Sequence, residues 1–151
     1  MKAKLFTFLC SLILLCSLIF SGCQKTYSFS LAQSMDNIDK VEICAFDYLS
    51  GTTTPLVLLD RNDAKSLLTE VCTLKCKRHF GDHTMDYGEI VIYVSYIDKT
   101  AEIIGLWNVA QVTKDGEWFI GIEYFDAKQL CSLIVKYVDV KMLPDLSQYF
   151  E

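Results

Sequence analysis

The sequence predicts an α+β fold: a single, mostly antiparallel sheet of about five to six strands with two helices packed on one face. Three observations lead there. Short segments alternate apolar and polar residues or run continuously apolar, which is the pattern of strands. The links between most of these segments are too short for a crossover, so successive strands run antiparallel. Two further segments repeat apolar residues at helical spacing behind an aspartate that can cap them.

Taken in order, Thr26 to Leu31 alternates strictly and reads as a first strand. Lys40 to Leu49 and Pro55 to Leu59 read as two more, joined across Ser50-Gly51-Thr52-Thr53-Thr54, which is turn-like and β-rich. Asp60 then caps a helix whose Ala64, Leu67, Leu68, Val71 and Cys72 share one face. Glu89 to Val112 is extended, with Ile90 to Val94 and Ala101 to Gly105 flanking a turn at Asp98-Lys99. Asp115-Gly116 marks a hairpin, because glycine accepts positive φ, and Trp118 to Tyr124 is the returning strand. Asp126 caps the second helix, with Gln129 as its box partner and Leu130, Leu133, Ile134 and Tyr137 on one face; Pro144 opens a short tail. Val91, Tyr93 and Phe119 fall out of phase with Ile90, Ile92, Ile120 and Ile122. Either the N-terminal strand and the tail bury the central strands on their second side, which is the expectation, or that side displays aromatics that bind something.

Ahead of this domain, Lys2 and Lys4 precede an apolar stretch from Leu5 to Phe20, and no charge returns until Lys25. A positive start, an apolar middle and a small-residue exit are the plan of a secretory signal. The uncharged run would also span a bilayer as a helix of about 20 residues, so the exit separates the two readings. Phe20-Ser21-Gly22-Cys23 resembles the lipobox of bacterial lipoprotein precursors, with Phe20 where that family usually has an aliphatic residue. The resemblance covers residues 1–23. It implies a diacylglycerol, carrying palmitate-like chains, on the sulfur of Cys23, cleavage between Gly22 and Cys23, and a place on the extracytoplasmic face of the cell membrane. Cys10 and Cys16 follow leucines and do not fit. Two acyl chains hold firmly where a single one binds only marginally. The implied organisation is a signal peptide over 1–22, a lipid-anchored tether over 23–25 and one α+β domain over 26–151.

From Cys23 to Glu151 there are 129 residues, enough for one domain with one core. Loss of Lys2 and Lys4 with the leader takes the formal charge from −5 to −7, and no basic stripe is visible in the sequence. Such a chain repels phosphate backbones, and no nucleic-acid partner is expected. The tether contains no Gly/Ser/Pro-rich stalk, so the domain is expected to sit close to the bilayer.

The segment richest in reactive side chains is "CTLKCKRHFGDH". Cys72, Cys76, His79 and His83 match a structural zinc site in number, but zinc sites draw ligand pairs from two segments folded together. On a strand, His79 lies on the face opposite Cys76, and Cys72 belongs to the core face of the first helix. The plain reading is a helix end followed by a solvated strand, with no metal and no cofactor. Export permits disulfides, and Cys44, Cys72, Cys76 and Cys131 allow three full connectivities among which the sequence does not choose. Glu102 and Glu123 could face one another as a carboxylate pair on neighbouring strands, but acids on strands are ordinarily a solvated face. No dinucleotide, phosphate-loop, GxSxG or HExxH motif occurs. The expected function is a non-enzymatic binding or interaction module that contacts an envelope protein or a surface ligand. At this size it is too small for the two-lobed lipoproteins that capture solutes. The alternative is a small surface thiol enzyme or hydrolase using Cys76 and His79, with Asp82 as the orienting group.

Overall fold

The computed structural model describes residues 26–47, 50–78, 89–105, 109–120 and 123–143. In chain order these form β1 (Tyr27–Ser28), β2 (Ile38–Asp47), β3 (Thr52–Leu58), α1 (Arg61–Val71), β4 (Lys75–Arg78), β5 (Glu89–Tyr96), β6 (Ala101–Gly105), β7 (Val109–Val112), β8 (Trp118–Ile120), β9 (Glu123–Tyr124) and α2 (Ala127–Tyr137). One six-stranded sheet has the order β3-β2-β5-β6-β7-β8, and a small sheet has the order β1-β4-β9. Every pairing is antiparallel, so the α+β architecture is as the sequence predicts.

Turn chemistry sets the hairpins. Gly51, between β2 and β3, has φ 65°, and Gly116, between β7 and β8, has φ 84°. Between β5 and β6 the left-handed residue is Lys99, at φ 72°. Asp98 supports that turn by accepting from the backbone N–H and the hydroxyl of Thr100, at 3.0 and 2.6 Å. Both helices start on the predicted aspartates. Asp60 accepts from the N–H groups of Asn62 and Asp63 at 2.8 and 2.9 Å, and Asp126 accepts from that of Gln129 at 3.1 Å.

Alternation along the long strands divides the core in two. Val41, Ile43, Ile90, Ile92, Val94, Tyr96, Ile104 and Val109 face α1 and α2, whose Leu67, Leu68, Val71, Leu130 and Ile134 are fully buried against them. Cys44, Phe46, Val91, Ile103 and Ala110 form a separate cluster on the other face, with Tyr93 and Val112 packed against it. The central strands are therefore buried on both sides. The N-terminal strand does not cover that second cluster, however. It pairs with β4, and Phe29 beyond it stacks edge-on against Phe125 in the helix-side core, with ring centroids 5.1 Å apart. The tail from Pro144 onward and Phe119's side chain lie outside the described residues.

Two boundaries and one register differ from the sequence reading. The strand expected over Thr26 to Leu31 contracts to Tyr27–Ser28; just beyond it Phe29 keeps one backbone bond to the Leu74 carbonyl at 3.3 Å and packs its ring on Phe125. The expected Trp118 to Tyr124 strand is two pieces serving different sheets, since β8 extends the main sheet while β9 pairs with β4. In β3 the register passes from Val57 opposite Ile43 to Pro55 opposite Cys44, leaving Leu56 as an extra residue. Proline has no N–H for a ladder, and an edge strand with a bulge is where it fits.

Candidate functional site

Few of the sequence-derived candidates come together. Gly22, Cys23, His79, Asp82 and His83 lie outside the described residues. Cys72, Cys76 and Cys131 all belong to the helix-side core region, Cys72 partly exposed at the end of α1 and the other two sealed. Cys44 is sealed in the opposite cluster. Among the described residues none of the four is joined in a disulfide. Burial pushes the Cys44 thiol up to about 11, with the Glu42 carboxylate adding to the shift and Lys40 opposing it. Burial also raises Cys131 and Cys72; for Cys72 a hydrogen bond with the Leu31 backbone opposes the shift and the charge of Glu102 adds to it. A nucleophile must be a thiolate and reachable, and these cysteines behave as core side chains. Cys76, the nucleophile of the enzyme alternative, has no exposed surface. Among the described residues no group of three or more His, Cys, Asp or Glu side chains could hold a metal ion.

Of the two strand acids, Glu102 departs from the solvated expectation, and the side chain of Glu123 lies outside the described residues. Glu123 sits in β9, in register with Arg78 of the small sheet, so it does not neighbour Glu102. Glu102 is 2% exposed. It accepts from the Tyr96 hydroxyl at 2.8 Å and from the Ala32 N–H at 3.1 Å. Its place is on the helix-facing side of β6, where burial follows from strand parity and the hydrogen bonds offset the cost of removing a carboxylate from water.

That clasp belongs to a longer seam. Starting from the first described residues, Ser28 Oγ accepts from Lys75 Nζ at 2.8 Å, Phe29 packs on Phe125, and the Ala32 N–H binds Glu102. Gln33 Nε2 donates to Thr100 Oγ1 at 2.9 Å and to Asp98 at 3.1 Å, while its carbonyl accepts from Asn37 at 3.2 Å. The Asn37 carbonyl then accepts from the Ile97 N–H at 2.9 Å. The N-terminal segment is fastened to the fold at each of these steps.

The seam ends at a groove of about 500 Å³ between the start of β2, the end of β3, the first turns of α1 and the β5–β6 turn. Its floor is core: Val41, Leu59 and Leu68. At its mouth Leu58 is 65% and Ile97 61% exposed, two of the four large apolar side chains so displayed among the described residues. Asp36 and Asp39 line one part of the groove, and Arg61 and Lys65 come from α1. The volume is that of a binding pocket, and Leu58 and Ile97 are apolar area that a partner's side chain can remove from water. A second cleft of about 610 Å³, lined by Gln33, Thr100, Gln111 and Thr113 among others, is larger. None of the strongly exposed apolar residues lines it, which favours the first groove as the candidate site.

The sequence does contain signals for this groove. Leu56-Val57-Leu58-Leu59 is an unbroken apolar run where an alternating edge strand places a polar residue at every second position, and Ile97 stands beside a turn, where polar residues are usual. Compared with known protein families, with curated protein sequences and with solved structures, the chain gives no significant match.

Proposed function

We propose that this protein is a lipid-anchored binding module of the cell envelope, cleaved after Gly22, acylated on Cys23 and held on the extracytoplasmic face of the membrane, with no catalytic role. The single observation that supports the anchored arrangement is the seam. The chain is committed to the fold from Ser28 onward through Lys75, Glu102, Thr100 and Ile97. A lipobox cysteine a few residues ahead of that commitment leaves no reach for roaming and fits a short-range role at the membrane. The partner is another envelope protein that lays an apolar side chain between Leu58 and Ile97.

Metabolic labelling with a palmitate analogue tests the anchor. Label is expected on the wild-type protein in the membrane fraction, and Cys23→Ala is expected to be unlabelled and to keep the leader attached; labelled Cys23→Ala protein overturns the assignment. For the groove, a photo-crosslinking side chain placed at Asp39 in intact cells is expected to give a discrete protein adduct that Leu58→Asp abolishes. The same adduct in Leu58→Asp overturns the groove as the contact.

A further inference from the structure

The small sheet brings together residues that the sequence keeps far apart. In β4, Cys76 points into the core with no exposed surface, while its neighbours Lys75 and Lys77 are exposed, as strand alternation requires. β4 is in register with the first strand, Tyr27 opposite Cys76 and Ser28 opposite Lys75. The Lys75 ammonium donates to Ser28 Oγ at 2.8 Å. One register step toward the N-terminus, Lys77 comes level with Thr26. Both lysines thus stand at the end of the fold where the tether enters. Lys25, adjoining Thr26 in sequence, carries the same charge.

We propose that this outward face of the small sheet, presented by Lys75 and Lys77, binds anionic lipid headgroups of the bilayer that holds the anchor; the proposal rests on the anchored reading above. Three peptide units separate Cys23 from Thr26, at most about 11 Å of extended chain. The screening length at physiological ionic strength is about 8 Å. Charges at the tether end therefore feel the headgroups, and charges at the far end of the domain do not. The chain from Cys23 onward is acidic overall, formally −7, so an anionic surface repels it in most orientations and favours the one that turns a lysine face inward. Lysine suits this contact, since a flexible stem with a compact ammonium follows mobile phosphates without a fixed geometry.

The experiment uses the full, acylated protein added to preformed vesicles of phosphatidylcholine with or without phosphatidylglycerol. Exposed amines are acylated with a membrane-impermeant reagent, and each lysine is read by mass spectrometry. Labelling of Lys75 and Lys77, relative to Lys99 and Lys65 in the same molecule, is expected to fall about fivefold on vesicles containing phosphatidylglycerol and to recover in high salt. Equal labelling on the two kinds of vesicle overturns headgroup binding while leaving the anchor intact. The same digest shows whether the peptide beginning at Cys23 carries its acyl chains; a bare Cys23 overturns the anchored reading, and this proposal with it.

Discussion

Tyr96 donates its hydroxyl to Glu102 at 2.8 Å, and the two side chains expose only 1% and 2% of their surface. The carboxylate also takes the Ala32 N–H, so one buried acid fastens the N-terminal segment to the centre of the sheet. Hydrogen bonds to a charged group contribute about 1.5–3 kcal/mol, and a buried polar group left without its partner costs a similar amount. Tyr96→Phe is therefore expected to destabilise the domain by about 1.5–3 kcal/mol, read as a lower urea midpoint with unchanged slope. Burial, reinforced by the nearby Glu102 charge and the hydrogen bond to it, also raises the Tyr96 ionisation above its ordinary value. The folded state thus holds a proton that the unfolded state releases above about pH 10, and stability falls with rising pH from there. Tyr96→Phe lacks that proton, so its deficit relative to wild type should narrow above pH 10 and stay constant below it.

Two of the left-handed turn residues, Gly116 and Lys99, make opposite predictions. A Cβ at Gly116 meets nothing within 4 Å, so Gly116→Ala carries only the backbone cost of φ 84°, about 1 kcal/mol net of the entropy gained in the unfolded chain. Lys99 already carries that cost at φ 72°. Lys99→Gly should therefore stabilise the domain by about 0.5–1 kcal/mol in thermal or urea unfolding.

Cys44 should be inert in the native protein. With its thiol pushed up to about 11 from 9.0, its thiolate population at neutral pH is on the order of 100-fold below that of a free cysteine, and burial slows it further. Alkylation kinetics followed by peptide mapping should show Cys44 unmodified until denaturant is added. Rapid native alkylation of Cys44 would contradict this placement.

Glu70 joins the two helices. Its carboxylate accepts from Lys136 Nζ at 2.6 Å and from the Tyr137 hydroxyl at 2.5 Å, and these two bonds, Lys136 first, hold its ionisation below the ordinary glutamate range. A depressed carboxyl contributes stability above its unfolded-state value near pH 4.3 and loses it as pH falls through the folded-state value. Glu70→Gln should be less stable than wild type at neutral pH, with the difference disappearing in acid. Both partners are exposed enough for solvent and salt to screen the pair, so raising the ionic strength should also shrink the gap.

Local rules determined much of this fold. The caps Asp60 and Asp126, the helix faces around Leu67 and Leu130 and the hairpin at Gly116 are set by groups within a few residues of one another, so the sequence alone predicts them. The resemblance of Phe20-Ser21-Gly22-Cys23 to a lipobox is likewise carried by contiguous residues. What the sequence could not specify depends on partners distant in the chain. Glu102 reads as a solvated strand acid until the Tyr96 hydroxyl and the Ala32 N–H, the latter 70 residues away, close on it. The Cys76 segment reads as an exposed strand carrying a nucleophile until pairing with β1 turns its sulfur into the core and leaves its lysines exposed. Leu58 and Ile97 lie 39 positions apart and form a groove only because β3 and the β5–β6 turn end at the same corner of the sheet. Burial, charge environment and grooves are properties of what surrounds a residue, and in an antiparallel sheet those surroundings come from strand register, which only the tertiary structure decides.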